Sequence, residues 1–225
     1  MILTDLPIEI NTDLVLRAQG MDPILVKAKS PRLVYITNQA IEEGRPLLEP
    51  KVVYERHQVQ EHIPTGIQLA NRKTIEGDLI NKILNRSDEI IIAVCTIGRK
   101  IDDLVANTFP ENPALAMAIE GVGSAATEVL GNTLCKYLES LASKDNLVMS
   151  LPIHPGMIGW PLENGQLQIF DILETKGIEV TLESSGLMKP LKSLSMVVGL
   201  GSSFDHHFKK CDLCALQKTC LYRQQ

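Results

Sequence analysis

Residues 113 to 142 contain no proline after Pro113, and this stretch predicts one uninterrupted helix about 45 Å long at 1.5 Å per residue. Asn112 and Pro113 stand where an N-cap and a first helical residue are favoured. Leu115, Ile119, Val122, Ala126, Val129, Thr133, Tyr137 and Leu141 recur at spacings of three and four and predict the core-facing stripe. The other face is small: Gly121, Ser124, Gly131 and Cys135, with Glu128 among them. Glycine inside a helix costs about 1 kcal/mol relative to alanine, so two on one face predict the close approach of another backbone. If that backbone is the segment after residue 150, Glu128 points into the cleft between them, where a carboxylate can accept hydrogen bonds from ammonium or hydroxyl groups. A solvated glutamate on a polar face accounts for the same residue.

That segment, Leu151 to Phe170, holds Pro152, Pro155 and Pro161, Gly156, Gly159 and Gly165, and the only tryptophan, Trp160. Proline fixes φ and glycine opens positive φ, so the stretch predicts a long ordered loop with main-chain groups free to meet a ligand. A plain crossover with a core tryptophan is the alternative.

The remaining segments predict an α+β domain, an antiparallel or mixed sheet packed with helices. PIEIN at residue 7 reads as a short strand, Asn11 or Thr12 as a cap for a helix ending at Gly20, and Ser30-Pro31 as the start of a helix ending at Gly44. Residues 51 to 59 and GIQLA at 66 read as strands, TIEGDLINKILN as an amphipathic helix, EIIIAVC as a buried strand and RKIDDLVANTF as a helix. Cys95 to Gly98 forms the turn after the buried strand, a place suited to anions at a helix N-terminus or an ordinary strand-to-helix turn. After the loop come a helix (GQLQIFDILETK), a strand (GIEVTL), a turn whose Met188 and Pro190 can border the same cleft, and a strand (SLSMVVGLG).

With 225 residues and 44% hydrophobic content the chain can bury a substantial core, predicting one domain over 1–202 and a cysteine-bearing appendix over 203–225. A net charge of −5 without a basic stripe argues against a nucleic-acid surface. MILTDLPIEI lacks a basic leader region, no stretch is expected to span a membrane, and five cysteines in an odd set fit a cytoplasmic, reducing setting.

IAVCTIG, EGVGSAATEVLGNTL, HPGMIGWPLENGQLQIFDIL and GIEVTLESSGLMKPLKSLSMVVGLG together resemble the activation domain of cobalamin-dependent methionine synthase, nearest to its free-standing versions. The likeness spans residues from about 90 to 201 and, more loosely, the N-terminal part. The resemblance implies an α+β fold that binds S-adenosylmethionine in a shallow groove and docks on a corrinoid domain to support reductive reactivation of cobalamin. It makes Pro155 and Gly156 the match of the Pro-Gly in the family's Arg-x-x-Pro-Gly-Tyr loop, and Glu128 the match of a ligand-binding helix carboxylate. Pro152 stands in the arginine's place and Met157 in the tyrosine's, and neither supplies a donor fork for a carboxylate. Met157 and Trp160 are expected to present an apolar surface instead.

Cys211, Cys214 and Cys220 form C-x2-C-x5-C, close-set thiols able to converge on one metal. Three thiolates suit an iron–sulfur cluster such as 4Fe-4S, completed by Cys95, Cys135, a histidine or a non-protein ligand. They also suit zinc with His206 or His207, or remain free. Lys209, Lys210, Lys218 and Arg223 would offset an anionic cluster.

The residues and the resemblance point to an accessory protein for reductive reactivation of a corrinoid methyltransferase, with cobalamin on the partner and an iron–sulfur electron carrier in the tail. An S-adenosylmethionine-binding reactivation subunit and a zinc-clipped protein-binding module are the alternatives.

Overall fold

A computed structural model describes residues 1–204, 209–214 and 217–218. Its centre is a pair of antiparallel strands, β5 and β9. In chain order the elements are β1 (Ile2–Leu3), α1 (Thr12–Ala18), α2 (Pro23–Lys29), α3 (Pro31–Gly44), β2 (Lys51–Ile63), β3 (Gly66–Leu69), β4 (Thr74–Glu76), α4 (Asp78–Leu84) and β5 (Glu89–Thr96). Then follow α5 (Lys100–Thr108), α6 (Pro113–Lys144), β6 (Val148–Met149), α7 (Leu162–Ile172), β7 (Thr181–Leu182), β8 (Met188–Lys189) and β9 (Ser193–Gly201). The sheet order is β4-β3-β2-β5-β9-β6, with β1 added beside β2 and β7-β8 forming a separate hairpin.

The apolar run of β5 follows from burial on both faces. Ile91, Ala93 and Cys95 meet α6, α3 and α1 in one core, while Ile90, Ile92 and Val94 meet α4, α7 and the loop after β6 in another. Register pairs Cys95 with Leu194 and Ala93 with Met196, so β9 turns these two side chains toward α6. The architecture is the antiparallel α+β arrangement around one long helix that the sequence predicts.

α6 begins where expected, with Asn112 Oδ1 accepting from the Leu115 N–H at 3.1 Å. Its deepest residues past Ala126 are Leu130, Leu134, Leu138 and Ala142, one position beyond the predicted stripe. The predicted residues are half-buried on its flank, where Thr133 Oγ1 donates to the Pro7 carbonyl and Tyr137 meets Tyr54 edge-on. α6 is also long and apolar enough to cross a bilayer, against expectation, but most of that length is buried in the protein.

Several boundaries differ from the sequence pattern. Residues 7–10 form no strand, and β1 lies at Ile2–Leu3 instead. TIE joins the sheet as β4, and Gly77, at φ 154, turns the chain into α4. GIEVTL shortens to β7 because a 3-10 turn at Lys176–Ile178 is followed by Glu179 at φ 59. α2 was not predicted: Ile24 and Leu25 lie on its exposed side, so its apolar residues do not mark a buried stripe.

Candidate functional site

Ser124, Thr127, Glu128, Gly131 and Cys135 recur at helical spacing and put one stripe of α6 along a groove of about 320 Å³. Leu194 and Met196, two apart on β9, line it from the sheet, and His154 and Lys192 also line it. Gly131 has a reason: a Cβ there would stand 2.6 Å from Leu194 Cδ2. Gly121 similarly makes room for Gln19. The small residues of α6 therefore admit side chains from the residue that ends α1 and from β9, not the loop backbone expected from the sequence.

Glu128 is exposed at the groove edge, and His154 is the loop residue beside it. The His154 Nδ1 lies 2.9 Å from the Ser195 carbonyl. A carbonyl only accepts, so Nδ1 carries a proton and donates it to Ser195. Lys192 is buried, with Nζ donating to Glu120 and, at 3.1 Å, to Ser124 Oγ. Cys135 Sγ and Met196 Sδ are 3.8 Å apart and give the floor a soft, polarizable character. Cys95, beneath it, is fully buried; burial above all, with Cys135 nearby, pushes its thiol up to about 12 despite the Leu194 N–H.

The loop uses its own amides. Gly156 N–H donates to the Trp160 carbonyl at 2.8 Å, Met157 N–H to the His154 carbonyl at 3.2 Å, and Trp160 N–H to the Met157 carbonyl at 3.0 Å. The His154 N–H points at Met157 Sδ, 3.3 Å away. These amides, expected to be free to meet a ligand, are bonded within the loop. Pro155 packs on Gly165, whose added Cβ would meet it at 2.9 Å; Gly156 is exposed at φ 94, and Met157 is half-buried.

Trp160 was expected to present an apolar surface and instead is fully buried in the core opposite α6, its Nε1 donating to Gln168 Oε1 at 3.1 Å. The folded loop gives its largest aromatic more apolar contact inward, against Gly77 and Gly165, than solvent offers. Pro155, Gly156, Met157 and Trp160 thus do not line the groove that Glu128 lines.

The Cys95–Gly98 turn is self-contained: Thr96 Oγ1 donates to the Lys192 carbonyl at 3.2 Å and accepts the Gly98 N–H at 3.1 Å. A second groove of about 690 Å³ lies beyond it, edged by Pro190 and sharing Leu191 with the first. Its cations are paired, Lys51 with Glu179 and Lys100 with Glu49 at 2.7 Å.

Cys211 lies within a 3-10 turn at Lys210–Leu213 and Cys214 follows it, both half-buried and neither in a disulfide. Leu213 is buried with Trp160 and Ile153. Cys95 and Cys135 belong to the core on the other face of the sheet, so a sheet layer separates them from this turn and neither can complete a shared cluster. Among the described residues no group of three or more His, Cys, Asp or Glu side chains is placed to hold a metal, and Cys220, His206 and His207 lie outside them.

No family model matches the sequence, and no curated protein matches it significantly. Among solved structures it is similar to the crystal structure of the MetH reactivation domain bound to AdoHcy, with a TM-score of 0.61, 15% identity, and coverage of 84% of this chain and 72% of that chain. The chain has the fold of the MetH reactivation domain. The resemblance seen from residue 90 onward thus extends, as a fold, over most of the chain.

His154, Lys192, Leu194 and Met196 were missed as groove residues. The alternation of SLSMVVGLG placed Leu194 and Met196 on one face, but only the register with β5 shows which layer that face meets.

Proposed function

We propose that this protein is a cytoplasmic accessory factor for the reductive reactivation of a corrinoid methyltransferase. One observation carries the reading: the backbone follows a methionine synthase reactivation domain over 84% of the chain. The partner is a cobalamin-binding protein, with the corrinoid on the partner.

The cysteine turn fits a metal centre in part. Cys211 and Cys214 are free thiols set three residues apart in one turn, with Lys209 and Lys218 exposed nearby. An iron–sulfur cluster held by Cys211, Cys214 and Cys220 would supply a one-electron carrier. The chain's own part is to anchor those thiols through Leu213 against the 151–160 loop, and to keep Cys95 and Cys135 out of the ligand set.

The test is anaerobic purification with iron and sulfide analysis, followed by mixing the reduced protein with a Co(II) corrinoid protein and following Co(I) by absorbance. The reading expects iron and sulfide near equal amounts and Co(I) formation that Cys211→Ser abolishes. A colourless protein holding one zinc and giving no Co(I) would reject it in favour of a zinc-clipped binding module.

A further inference from the structure

α2 buries Pro23 and Val26 and turns the rest of its length outward. Ile24 is 80% exposed and Leu25 54%, so both aliphatic side chains stand largely clear of the protein. Residues four apart on a helix are neighbours, which sets Ala28 beside Ile24 and Lys29 beside Leu25 on that outer side. Past Ser30, the cap shared by α2 and α3, Arg32 and Tyr35 are exposed as well, the tyrosine by 70%.

The charge of this corner runs against that of the chain. From Asp13 to Tyr35 there are four basic and two acidic residues, a balance of +2 in a protein of net charge −5. Both acids are engaged: Asp13 pairs with Lys27, and the Asp22 carboxylate caps α2, accepting from the Ile24 N–H at 2.9 Å. Arg17, Lys29 and Arg32 are exposed and have no ion-pair partner among the described residues.

That pattern selects what can cover the corner. A second copy would set these cations against one another, and the C-terminal tail is basic too, with Lys209, Lys210, Lys218 and Arg223 against Asp205 and Asp212. The described turn of that tail packs, through Leu213, in the core on the other face of the sheet from α1 and α3. A stable protein interface takes about 800 Å² from each partner and has several packed anchors at its centre, more than two aliphatic side chains among charges supply. An anionic bilayer asks for less: aliphatic side chains that enter the acyl boundary, cations for the head groups and an aromatic ring at the interface.

We infer that α2 seats this protein on an anionic phospholipid surface, with Ile24 and Leu25 inserted and Arg17, Lys29 and Arg32 on the phosphate head groups. The turn bearing Cys211, across the sheet, then lies on the side away from the lipid.

The test is co-sedimentation of the full chain with vesicles of phosphatidylcholine alone, or with about one-third phosphatidylglycerol, in low and high salt. Binding to the anionic vesicles should exceed binding to the neutral ones about tenfold or more, and fall steeply as salt rises from about 0.05 M to about 0.5 M. Ile24→Ser with Leu25→Ser should weaken binding about tenfold or more at low salt. Lys29→Glu with Arg32→Glu should weaken it about 25-fold or more, about fivefold for each cation lost. Leu167→Ser, at an exposed leucine of α7 in the other layer, should change nothing, and urea unfolding checks that each variant is folded. No sedimentation with anionic vesicles at low salt overturns the inference and leaves this corner to an acidic protein face. Equal binding to neutral vesicles overturns it too, as does an equal loss in Leu167→Ser. No corrinoid enters this assay, so its failure leaves the reactivation role standing, and a failure to form Co(I) leaves the bilayer contact standing.

Discussion

The main-chain N–H of Ile158 donates to the carbonyl of Leu213 across 3.1 Å. This bond ties the turn between Cys211 and Cys214 to the proline–glycine loop, and the Leu213 side chain pins the same junction into the core with Trp160. The thiols therefore sit against a loop that ends on the groove at His154.

Leu213→Ala should loosen that junction. Truncating a buried leucine removes transfer free energy and leaves a cavity, and about 2 kcal/mol is expected at the low end of the range for such changes because the turn is peripheral. Hydrogen exchange at the Ile158 amide should quicken by tenfold or more, with exchange in β5 and β9 little changed. Unchanged protection at Ile158 would show that the bond is held by something other than Leu213.

Thiol reactivity should divide the cysteines by their surroundings. Cys95, buried and pushed up to about 12, has almost no thiolate at pH 8 and should resist iodoacetamide in the folded protein. Cys211 and Cys214, half-buried and free, should label readily in metal-free protein and become protected after anaerobic reconstitution with iron and sulfide. Peptide mapping by mass spectrometry reads each site. Labelling of Cys211 and Cys214 that reconstitution leaves unaltered would argue against a cluster on this turn.

The sequence showed most of the scaffold and only part of the groove, for physical reasons visible at single residues. β5 was legible because an apolar run as dense as EIIIAVC is stable only when both faces are covered, and α6 because Asn112 and Pro113 mark its start. The stripe of α6 slipped past Ala126 because residues 1–10 lie along its flank, and their contacts at Thr133 and Tyr137 make that flank half-apolar without making it core. Trp160 was ambiguous for a different reason. An aromatic residue among prolines and glycines suits a ligand surface and a core equally, and the decision rests with Gly77 and Gly165, whose missing side chains make its cavity. Glu128 could be placed on a cleft from helical spacing alone, whereas Lys192 could not, because its role depends on Glu120 from an element far away in the chain.

Asp102 predicts a pH dependence of stability. Its Oδ2 accepts the Leu191 N–H at 2.9 Å while Oδ1 is buried without a partner, and burial, outweighing that hydrogen bond and the nearby Lys192, raises its pKa. A carboxyl with a raised folded-state pKa binds protons more readily in the folded chain, so its contribution is full below the unfolded value of about 4 and is lost as pH rises through the folded value. Asp102→Asn removes the charge and keeps an acceptor for Leu191. The variant should be more stable than the parent to urea at pH 7, and the difference should shrink toward pH 4. A constant difference across that window would show that the charge is not the cause.

Lys192 and Glu120 predict an asymmetry between two ways of breaking one ion pair. The lysine side chain is 10% exposed and the glutamate 50%. Removing the glutamate leaves a buried ammonium hydrogen-bonded to Ser124 Oγ, with Asp102 as the nearby carboxylate, whereas removing the lysine leaves a carboxylate that water can reach. Glu120→Ala should therefore cost about 2 kcal/mol, a value between exposed and fully buried pairs, even though alanine favours the helix. Lys192→Met, which fills the same space with an apolar chain, should cost less than about 1 kcal/mol. Urea unfolding of the two single variants and the double variant measures the coupling. Equal costs would mean that the Lys192 ammonium finds water in the groove.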